Sequence, residues 1–419
     1  MTCEQALSYL ASLNESRIKP GLERIRQALS ALGSPHLKFP HVLIGGTNGK
    51  GSVVSFMGEA LVGAGYRTGL FTSPHLHRFE ERIVVDKHGL NAEELVYLVK
   101  TVKDVGVDLT YFEFAAAMAL LHFARNRVDL AILEVGIGGR WDATNVTNPV
   151  LSMITTVEVD HQNWLGDSLE EIALEKAGIM REGKPVIVGP LGAAARQVVI
   201  RHAEDVGARV ILFERDFCVA RNNTVSGLQF EGMKWSIEGL IPGLKGLFQF
   251  ENAGCALAAL EALEESGFEI TAREAAYGIE SASWIGRLQK VEGTPPFIVD
   301  AAHNPAAVRA LIASLEGVQQ VVWLFSALSE KDVAGMIEEM SRLSSRFVLV
   351  QMNHPRARTV RELKNQMPDG AEIIESFNVR QGVDEARNLA GKAGCVVVAG
   401  SVVLAGEVLK VLEEDQFGV

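Results

Sequence analysis

Gly45-Gly46-Thr47-Asn48-Gly49-Lys50-Gly51-Ser52 is the stretch of sequence that decides the fold. Residues 39–44 precede it and have the apolar character of a short buried strand, and residues 53–65 follow it with apolar side chains at helical spacing. Strand, glycine-rich turn and helix, with a Lys and a Ser at the first helical turn, are the layout of a phosphate-binding loop. In such a loop the backbone N–H groups and the helix N-terminus attract phosphate oxygens, and the Lys neutralises the outer phosphates.

The stretch departs from the strict P-loop pattern. Ile44 stands where that pattern requires its first glycine, and Gly51 separates Lys50 from Ser52. The alternative is a glycine-rich strand-to-helix turn that binds no ligand. Because four glycines, a Lys and a Ser fall within eight residues, we favour a compact variant of the phosphate-binding loop.

The composition is that of a globular enzyme and limits the classes of partner. The chain has 419 residues, of which 47% are hydrophobic and 22% are charged, which indicates two or three domains. The formal net charge is −12 and the pI is near 5.4. Because sequence-independent binding to nucleic acid depends on Lys and Arg that neutralise phosphates, this acidic chain argues against a nucleic-acid partner.

The cysteines and the hydropathy pattern indicate a reducing, aqueous compartment. Cys3, Cys218, Cys255 and Cys395 are far apart and form no C-x-x-C pair, which argues against a disulfide framework and a zinc site. No uncharged apolar run reaches the ~18 residues of a membrane span, and the N-terminus lacks a basic region followed by an apolar one. We therefore expect a cytoplasmic protein with no membrane association.

An acid and a histidine follow two further predicted strands. The apolar strand at 129–135 carries Glu134 near its C-terminal end, and the strand at 150–155 leads to His161. Because ligands of open parallel sheets bind beyond the carboxyl ends of the strands, both side chains are candidates to hold Mg²⁺ against phosphates. A Glu134 paired with Arg140 and a purely structural His161 remain alternatives.

One loop is unusually polar for a simple connection. Residues 73–82 contain two His, two Arg and two Glu directly after a strand that ends at residue 72. Loops held beside a site by a rigid sheet are where binding residues concentrate, which favours a binding role. The alternative is a charged loop exposed to solvent.

The rest of the chain predicts two α/β domains. Strands and helices alternate to about residue 212, as in a doubly wound sheet, and residues 213–240 are more β-like, with a turn at Asn222-Asn223. An alanine-rich helix is predicted at 248–263. The second series has predicted strands at 297–300, 320–325, 346–351 and 395–400 and predicted helices at 305–316, 331–342, 380–391 and 402–414. We predict an N-terminal domain at 1–288 and a smaller C-terminal domain at 289–419.

Taken together, the motifs resemble those of the folylpolyglutamate synthase and dihydrofolate synthase family, within the Mur ligase superfamily, nearly from end to end. The matching segments are Gly46-Thr47-Asn48-Gly49-Lys50-Gly51-Ser52, Thr72-Ser73-Pro74-His75-Leu76, Glu134-Val135-Gly136-Ile137-Gly138-Gly139-Arg140, Asp142-Ala143-Thr144-Asn145, Asp160-His161, Glu175-Lys176-Ala177-Gly178-Ile179, Asp300-Ala301-Ala302-His303-Asn304-Pro305 and Gly400-Ser401. Trp141, usually an aliphatic residue, and Ala301, where Gly is common, are modest departures. The resemblance implies a P-loop-containing, doubly wound Mur-ligase-like domain followed by a smaller Rossmann-like α/β domain.

The resemblance also implies the site residues. Those implied to bind ATP are Gly46, Thr47, Asn48, Gly49, Lys50, Gly51, Ser52, Asn252, Arg287, Asp300 and His303. Those implied to bind two Mg²⁺ ions are Ser73, Glu134, His161 and Lys176, the last as a carbamate, which turns a cation into an anionic ligand. Those implied to face the pterin or folate acceptor are Ser73, Pro74, His75, Arg82, Asp142 and Ala143. Catalysis would rest on Lys50, Glu134, His161 and Lys176.

The implied reaction is an ATP-dependent joining of L-glutamate to dihydropteroate, to a reduced folate, or to both, through an acyl phosphate, in a monomeric enzyme. Such phosphoryl transfer needs positioning and charge neutralisation and no side-chain nucleophile. Two other classes stay open: a Mur-type ligase of a different carboxylate, and a P-loop nucleotide switch without ligase activity. Lys176 as an ordinary surface lysine and an interdomain ion pair between Arg287 and Asp300 also stay open.

Overall fold

The computed structural model describes residues 1–13, 17, 19–221 and 227–417. Its helices are α1 (Cys3–Ser12), α2 (Glu23–Ala31), α3 (Lys50–Gly63), α4 (Ala92–Asp104), α5 (Tyr111–Asn126), α6 (Gln162–Leu165), α7 (Leu169–Ala177), α8 (Ala193–Val206), α9 (Phe248–Leu263), α10 (Ala272–Ser281), α11 (Pro305–Ala313), α12 (Val333–Ser341), α13 (Val360–Lys364), α14 (Val379–Ala390) and α15 (Val402–Phe417). Its strands are β1 (His41–Gly45), β2 (Thr68–Phe71), β3 (Ile83–Val85), β4 (His88–Gly89), β5 (Leu130–Glu134), β6 (Leu151–Ile154), β7 (Pro185–Val188), β8 (Arg209–Leu212), β9 (Cys218–Arg221), β10 (Leu228–Glu231), β11 (Ser236–Leu240), β12 (Gln289–Val291), β13 (Phe297–Val299), β14 (Val321–Phe325), β15 (Arg346–Val350), β16 (Glu372–Ser376) and β17 (Cys395–Ala399).

The described chain forms two compact units. Unit 1 comprises residues 1–243 and 249–283, and unit 2 comprises residues 244–248 and 284–419. The chain therefore leaves unit 1 briefly before α9 and returns to it for α9 and α10.

The main sheet of unit 1 has the strand order β4-β3-β2-β5-β1-β6-β7-β8. The strands from β2 to β8 in this order run parallel, and β3 and β4 add an antiparallel edge. Strands β1, β5, β6 and β7 are buried along their whole length, as expected of parallel strands covered on both faces. The consequence is that the carboxyl ends of β2, β5, β1 and β6 lie side by side.

Helix α3 follows β1 and is buried on nearly all sides. Its residues from Gly51 to Gly58, and Ala60 and Leu61 after them, are buried, which explains why it shows little of the one-sided apolar pattern of a surface helix. A small antiparallel sheet with the order β11-β10-β9 completes unit 1. The β-like character predicted for residues 213–240 is therefore confirmed, and the turn predicted at Asn222-Asn223 lies outside the described residues.

Unit 2 contains one mixed sheet with the order β12-β13-β17-β14-β15-β16. Its strands run parallel except β12, which pairs antiparallel with β13 at the edge. Its core is an apolar cluster that includes Trp323, Phe325 and Phe347. The predicted fold class, a doubly wound α/β domain followed by a smaller α/β domain, is confirmed.

No helix among the described residues is both long and apolar enough to cross a membrane.

Candidate active site

The phosphate-binding loop lies between β1 and α3, at the carboxyl edge of the main sheet. Helix α3 begins at Lys50, with Gly49 as its N-cap, and Gly49 provides no side-chain hydrogen bond to the helix end. The backbone N–H groups of Lys50, Gly51 and Ser52 belong to the first helical turn, where N–H groups have no carbonyl partner within the helix. This 14-residue helix therefore presents N–H groups and the positive end of its dipole to an anion.

The loop is fixed by hydrogen bonds to the segment that follows β6. The N–H of Thr47 donates to the carbonyl oxygen of Thr156 at 2.8 Å, and the N–H of Asn48 donates to Thr156 Oγ1 at 3.0 Å. Thr155 Oγ1 donates to the carbonyl oxygen of Asn48 at 2.6 Å, and the N–H of Glu158 donates to Thr47 Oγ1 at 3.0 Å. These bonds hold the loop in shape from the neighbouring strand.

Two glycines of the loop are required by its conformation and by close approach. Gly46 has φ +140°, and a Cβ there would lie 1.9 Å from Thr155 Oγ1. Gly49 has φ +86°, and a Cβ there would lie 2.3 Å from Asn252 Oδ1. Because only glycine fits either position, Gly46 allows Thr155 and Gly49 allows Asn252 to approach the loop backbone closely.

Two lysines converge on the loop. Lys50 Nζ donates to the carbonyl oxygens of Gly46 and Thr47, both at 3.1 Å. Lys176 Nζ donates to the same Gly46 oxygen at 3.0 Å. Lys176 lies near the end of α7 and is 4% exposed, so it is not an ordinary surface lysine.

Ser73 and Glu134 lie beside the loop, as expected from the order of the strands. Strand β5 pairs with β1 so that Glu134 is opposite Ile44, and β2, which leads to Ser73, pairs with the other side of β5. The N–H of Ser73 donates to Glu134 Oε2 at 2.9 Å. Arg140, the alternative partner considered for Glu134, places its Nε 3.6 Å from Glu175 Oε1.

His161 follows β6, at the same edge of the sheet. It has φ +55° and precedes the short helix α6. Its N–H donates to Asp160 Oδ1 at 2.8 Å, and its Nε2 is 3.9 Å from Asp160 Oδ2. Among the described residues, no three His, Cys, Asp or Glu side chains converge to hold a metal ion by themselves.

The loop at 73–82 is internally ordered. Glu81 accepts hydrogen bonds from the N–H groups of Leu76, His77 and Arg78 at 2.7, 3.0 and 2.8 Å, which argues against a loop that is merely solvated. Pro74 is exposed at its start.

Arg82, at the end of this loop, is buried and holds His75. Arg82 Nε donates to His75 Nδ1 at 2.7 Å, which assigns the ring proton of a neutral His75 to Nε2. The guanidinium carbon of Arg82 lies 5.1 Å from the centre of the Tyr111 ring, within cation–π range. Two predicted acceptor-binding residues are thus in direct contact.

Asp142 is buried and ties together its own loop. Its Oδ2 accepts from the N–H groups of Gly136 and Ile137 at 2.9 and 3.1 Å. Its Oδ1 accepts from the N–H and hydroxyl of Thr144 at 2.9 and 2.6 Å. Burial raises the pKa of Asp142, against the effect of these bonds. The buried Ala143 follows it, and Trp141 before it is 53% exposed.

Arg287, Asp300 and His303 belong to unit 2, so the Arg287–Asp300 pair considered above lies within one unit. Asp300 follows β13 and accepts from the N–H groups of Leu288 and Ala302 at 2.7 and 2.8 Å. Burial raises the pKa of Asp300, and the positive charge of Arg287 opposes that rise. His303 Nδ1 lies 2.9 Å from the carbonyl oxygen of Ala301.

Three residues at the site were not predicted from the sequence. Thr155 and Thr156 follow β6, and the rule that selected Glu134 at the end of β5 would also have selected them. Gln249 lies one helical turn before Asn252, and its Oε1 accepts from Asn252 Nδ2 at 2.9 Å. The spacing of three residues on one helix was the signal for this contact.

The chain is similar in sequence to known proteins. Residues 286–402 match the family model described as "Mur ligase, glutamate ligase domain". The chain is 33% identical to the dihydrofolate synthase/folylpolyglutamate synthase of Bacillus subtilis, over 98% of this chain and 99% of that protein.

Two solved structures are similar over almost the whole chain. The Escherichia coli FolC structure in complex with DHPP and ADP has a TM-score of 0.89 at 30% identity and covers 99% of both chains. A bifunctional folylpolyglutamate synthase/dihydrofolate synthase with Mn, AMPPNP and L-glutamate bound has a TM-score of 0.88 at 31% identity, over 99% of this chain and 98% of that chain.

Proposed function

Because the chain belongs to the dihydrofolate synthase/folylpolyglutamate synthase family, we propose that its site performs the reaction of that family on the residues described above. The enzyme is an ATP-dependent ligase that joins L-glutamate to a folate-type acceptor in folate metabolism. The acceptor is dihydropteroate, a reduced folate, or both. The observation that carries the proposal is the convergence of Lys50 and Lys176 on the phosphate-binding loop, beside Ser73 and Glu134.

The loop residues Gly46, Thr47, Asn48, Gly49, Lys50, Gly51 and Ser52 bind the phosphates of ATP. The first-turn N–H groups of α3 contact phosphate oxygens, and Lys50 neutralises the charge that develops as the γ-phosphate is transferred. The hydrogen bonds of Lys50 Nζ to Gly46 and Thr47 hold its cation at the loop before the nucleotide arrives. Such preorganised charge is the largest contribution that a protein makes to phosphoryl transfer.

The chemistry of the donor set fits a divalent cation such as Mg²⁺. Ser73 and Glu134 offer hard oxygen ligands, and Mg²⁺ is commonly held by one or two carboxylates together with substrate phosphates. That mode needs no cluster of three acidic or imidazole side chains. The bound cation would neutralise phosphate charge and polarise the phosphoryl group. We assign Ser73 and Glu134 to one ion and His161 to a second.

Lys176 fits a metal only after modification. An ammonium group has three donors and no acceptor, and Lys176 Nζ donates to a carbonyl oxygen. As a carbamate the same side chain would offer two anionic oxygens to the second ion. We propose this modification as the reason that a lysine is buried beside the loop.

The acceptor lies against the loops at 73–82 and 136–144. Arg82, held by Tyr111 and His75, supplies a buried cation, and Ser73, Pro74, His75, Asp142 and Ala143 complete this side. Because the carboxylate of Asp142 is occupied by N–H groups of its own loop, we propose that it shapes the acceptor pocket while the exposed Trp141 ring lines it.

We propose that Asn252 binds the nucleotide beside the phosphate-binding loop. The family resemblance gives Arg287, Asp300 and His303 the same role, and we propose it for them on that ground. The carboxyl edge of the unit 2 sheet then provides the glutamate pocket, in keeping with the description of the matching family. The boundary between the ATP-binding domain and the ligase domain, predicted at 288/289, lies close to residue 284, where the chain enters unit 2. We propose a monomer in the cytoplasm.

The reaction proceeds in two balanced steps. An oxygen of the acceptor carboxylate attacks the γ-phosphorus of ATP, the bond to ADP breaks, and an acyl phosphate forms. The amine of glutamate then attacks the acyl carbon, loses a proton, and expels inorganic phosphate as the amide forms. The acceptor oxygen that attacked phosphorus leaves in that phosphate.

Isotope transfer tests this sequence. With an acceptor labelled with ¹⁸O in its carboxylate, we expect one labelled oxygen in each phosphate released. A P-loop switch would hydrolyse ATP with water, so its phosphate would carry no oxygen from the acceptor. Unlabelled phosphate during active turnover would overturn the acyl-phosphate proposal.

A further inference from the structure

Gln249 is a buried amide at the start of α9. It is the first residue of the segment 249–283 that returns the chain to unit 1, and its side chain is 0% exposed. A buried amide without hydrogen-bond partners is costly, so a Gln at such a position usually has specific partners.

The Gln249 amide joins the phosphate-binding loop helix to Asn252. Its Nε2 donates to Ser52 Oγ at 3.1 Å, and its Oε1 accepts from Asn252 Nδ2 at 2.9 Å. Ser52 is the third residue of α3, and both Ser52 and Asn252 are buried. The three side chains form a continuous bridge within unit 1.

This bridge determines which way the Ser52 hydroxyl and the Asn252 amide are oriented. Because Asn252 uses its NH₂ group toward Gln249, its Oδ1 is the atom that faces Gly49, 2.3 Å from where a Cβ would be. Because the Ser52 oxygen accepts a hydrogen bond from Gln249, the Ser52 hydroxyl must point its own proton away from Gln249. A side chain at position 249 that accepted from Ser52 would draw the Ser52 proton toward itself. One that donated to Asn252 would turn the Asn252 NH₂ group toward Gly49.

We propose that Gln249 is a positioning residue for the nucleotide: it orients the Ser52 hydroxyl and the Asn252 amide without touching the nucleotide itself. The inference rests on the proposed function, in which the loop and Asn252 bind ATP. Gln249 lies outside the loop, and it would affect nucleotide binding only by fixing the directions of these hydrogen bonds.

The test is the affinity for ADP, measured by calorimetry on the full chain. Gln249→Glu keeps the shape, but a carboxylate cannot donate to Ser52, and Gln249→Met keeps the length without either hydrogen bond. We expect the Kd for ADP to rise about tenfold or more in both variants, for two different reasons. Gln249→Met leaves the buried Ser52 and Asn252 groups unpaired, and Gln249→Glu makes the Ser52 hydroxyl donate to the carboxylate, which turns its proton away from the loop. The KM values for acceptor and glutamate should change by less than about twofold.

The pH dependence separates positioning from simple damage. A protonated carboxyl at position 249 regains an O–H donor, and burial raises the pKa of such a group. The ADP affinity of Gln249→Glu should therefore recover as the pH is lowered from 8 toward about 5.5, relative to wild type at each pH. Gln249→Met should show no recovery. If Gln249→Met does not fold, the pH series on Gln249→Glu alone decides the question.

Glu261→Gln is the matched control on the same helix. Glu261 is also buried, and it accepts from the N–H groups of Met233, Lys234 and Trp235 at the other end of α9. This variant should keep wild-type ADP affinity. An equal loss of affinity in Glu261→Gln, or affinity within twofold of wild type in both Gln249 variants, would overturn the inference. If wild type itself does not bind ADP, the proposed function fails instead.

Discussion

Lys50 and Lys176 donate to the same carbonyl oxygen, that of Gly46, at 3.1 and 3.0 Å. Lys176 is buried and Lys50 is half-buried, so two lysine side chains are held at one carbonyl oxygen of the phosphate-binding loop. The carbamate proposed for Lys176 would therefore form beside the loop that is proposed to bind the phosphates.

Removing Lys176 should abolish most of the activity. For Lys176→Ala we expect kcat to fall about 100-fold, because the variant would lose the carbamate that we propose as a ligand of a second ion. Formate or acetate should restore part of the rate, and ¹³C-bicarbonate should give a carbamate resonance in wild type that is absent in the variant. Near-normal turnover without rescue would show that Lys176 has no such role. Lys100→Ala, an exposed lysine on α4, is the control.

Lys50 should matter for the transition state. We expect Lys50→Ala to lower kcat by about 100- to 1,000-fold, since this cation counters the charge on the transferred phosphoryl group. The Kd for ADP should change less than kcat, because the first-turn N–H groups of α3 remain. Steady-state kinetics at saturating ATP measures the effect, and a kcat within tenfold of wild type would contradict the assignment.

Asp142 should stabilise the loop that we propose to face the acceptor. In Asp142→Asn an NH₂ group replaces one acceptor oxygen and faces backbone N–H groups, so we expect unit 1 to lose about 2 kcal/mol of stability. The KM for the acceptor should rise and the Kd for ADP should not. Denaturant titration and initial rates check both points, with the exposed Asp205→Asn as control. An unchanged KM for the acceptor would show that this loop does not contribute to acceptor binding.

His41 should make the fold sensitive to acid. Burial lowers the pKa of His41 to about 4, His36 and Arg181 contribute to the same direction, and the hydrogen bond to Phe39 opposes it. Because the folded pKa lies below the unfolded value near 6.5, the unfolded chain binds the extra proton first. Stability is therefore complete above about pH 6.5 and declines as the pH decreases toward 4.

The loss attributable to His41 is about 2 kcal/mol between pH 7 and pH 5. Thermal or urea unfolding of wild type and His41→Gln at both pH values measures it. The variant should lose less stability on acidification than wild type does. Equal losses in the two proteins would show that other groups dominate the acid response.

Local patterns predicted most of the fold. Strand β5 was evident because the apolar run from Leu130 to Leu133 lies between Asp129 and Glu134. Strand β16 was missed because it is a half-exposed edge strand with only two apolar residues, which lie between Glu372 and Glu375. Helix α3 begins three residues before the predicted start at Val53, since glycines and polar residues form its first turn.

Site residues could be predicted where a single segment of sequence contains the pattern that indicates their role. The phosphate loop, Glu134 and the loop at 73–82 are of this kind. Contacts between distant segments were not predictable: Thr156 meets Asn48, and Gln249 meets Ser52, only because the sheet and α9 bring them together. The internal role of Asp142 was likewise hidden, because a carboxylate that binds its own loop and one that binds a ligand look alike in sequence.

The most direct test of the account is ADP release by the purified protein with Mg-ATP and L-glutamate, compared between dihydropteroate, tetrahydrofolate and no acceptor. We predict release that requires both a pterin acid and glutamate. Stimulation by dihydropteroate alone identifies a dihydrofolate synthase, by tetrahydrofolate alone a chain-extending synthase, and by both a bifunctional enzyme. ADP release that neither acceptor stimulates would contradict the account and favour a nucleotide switch or a ligase of another carboxylate.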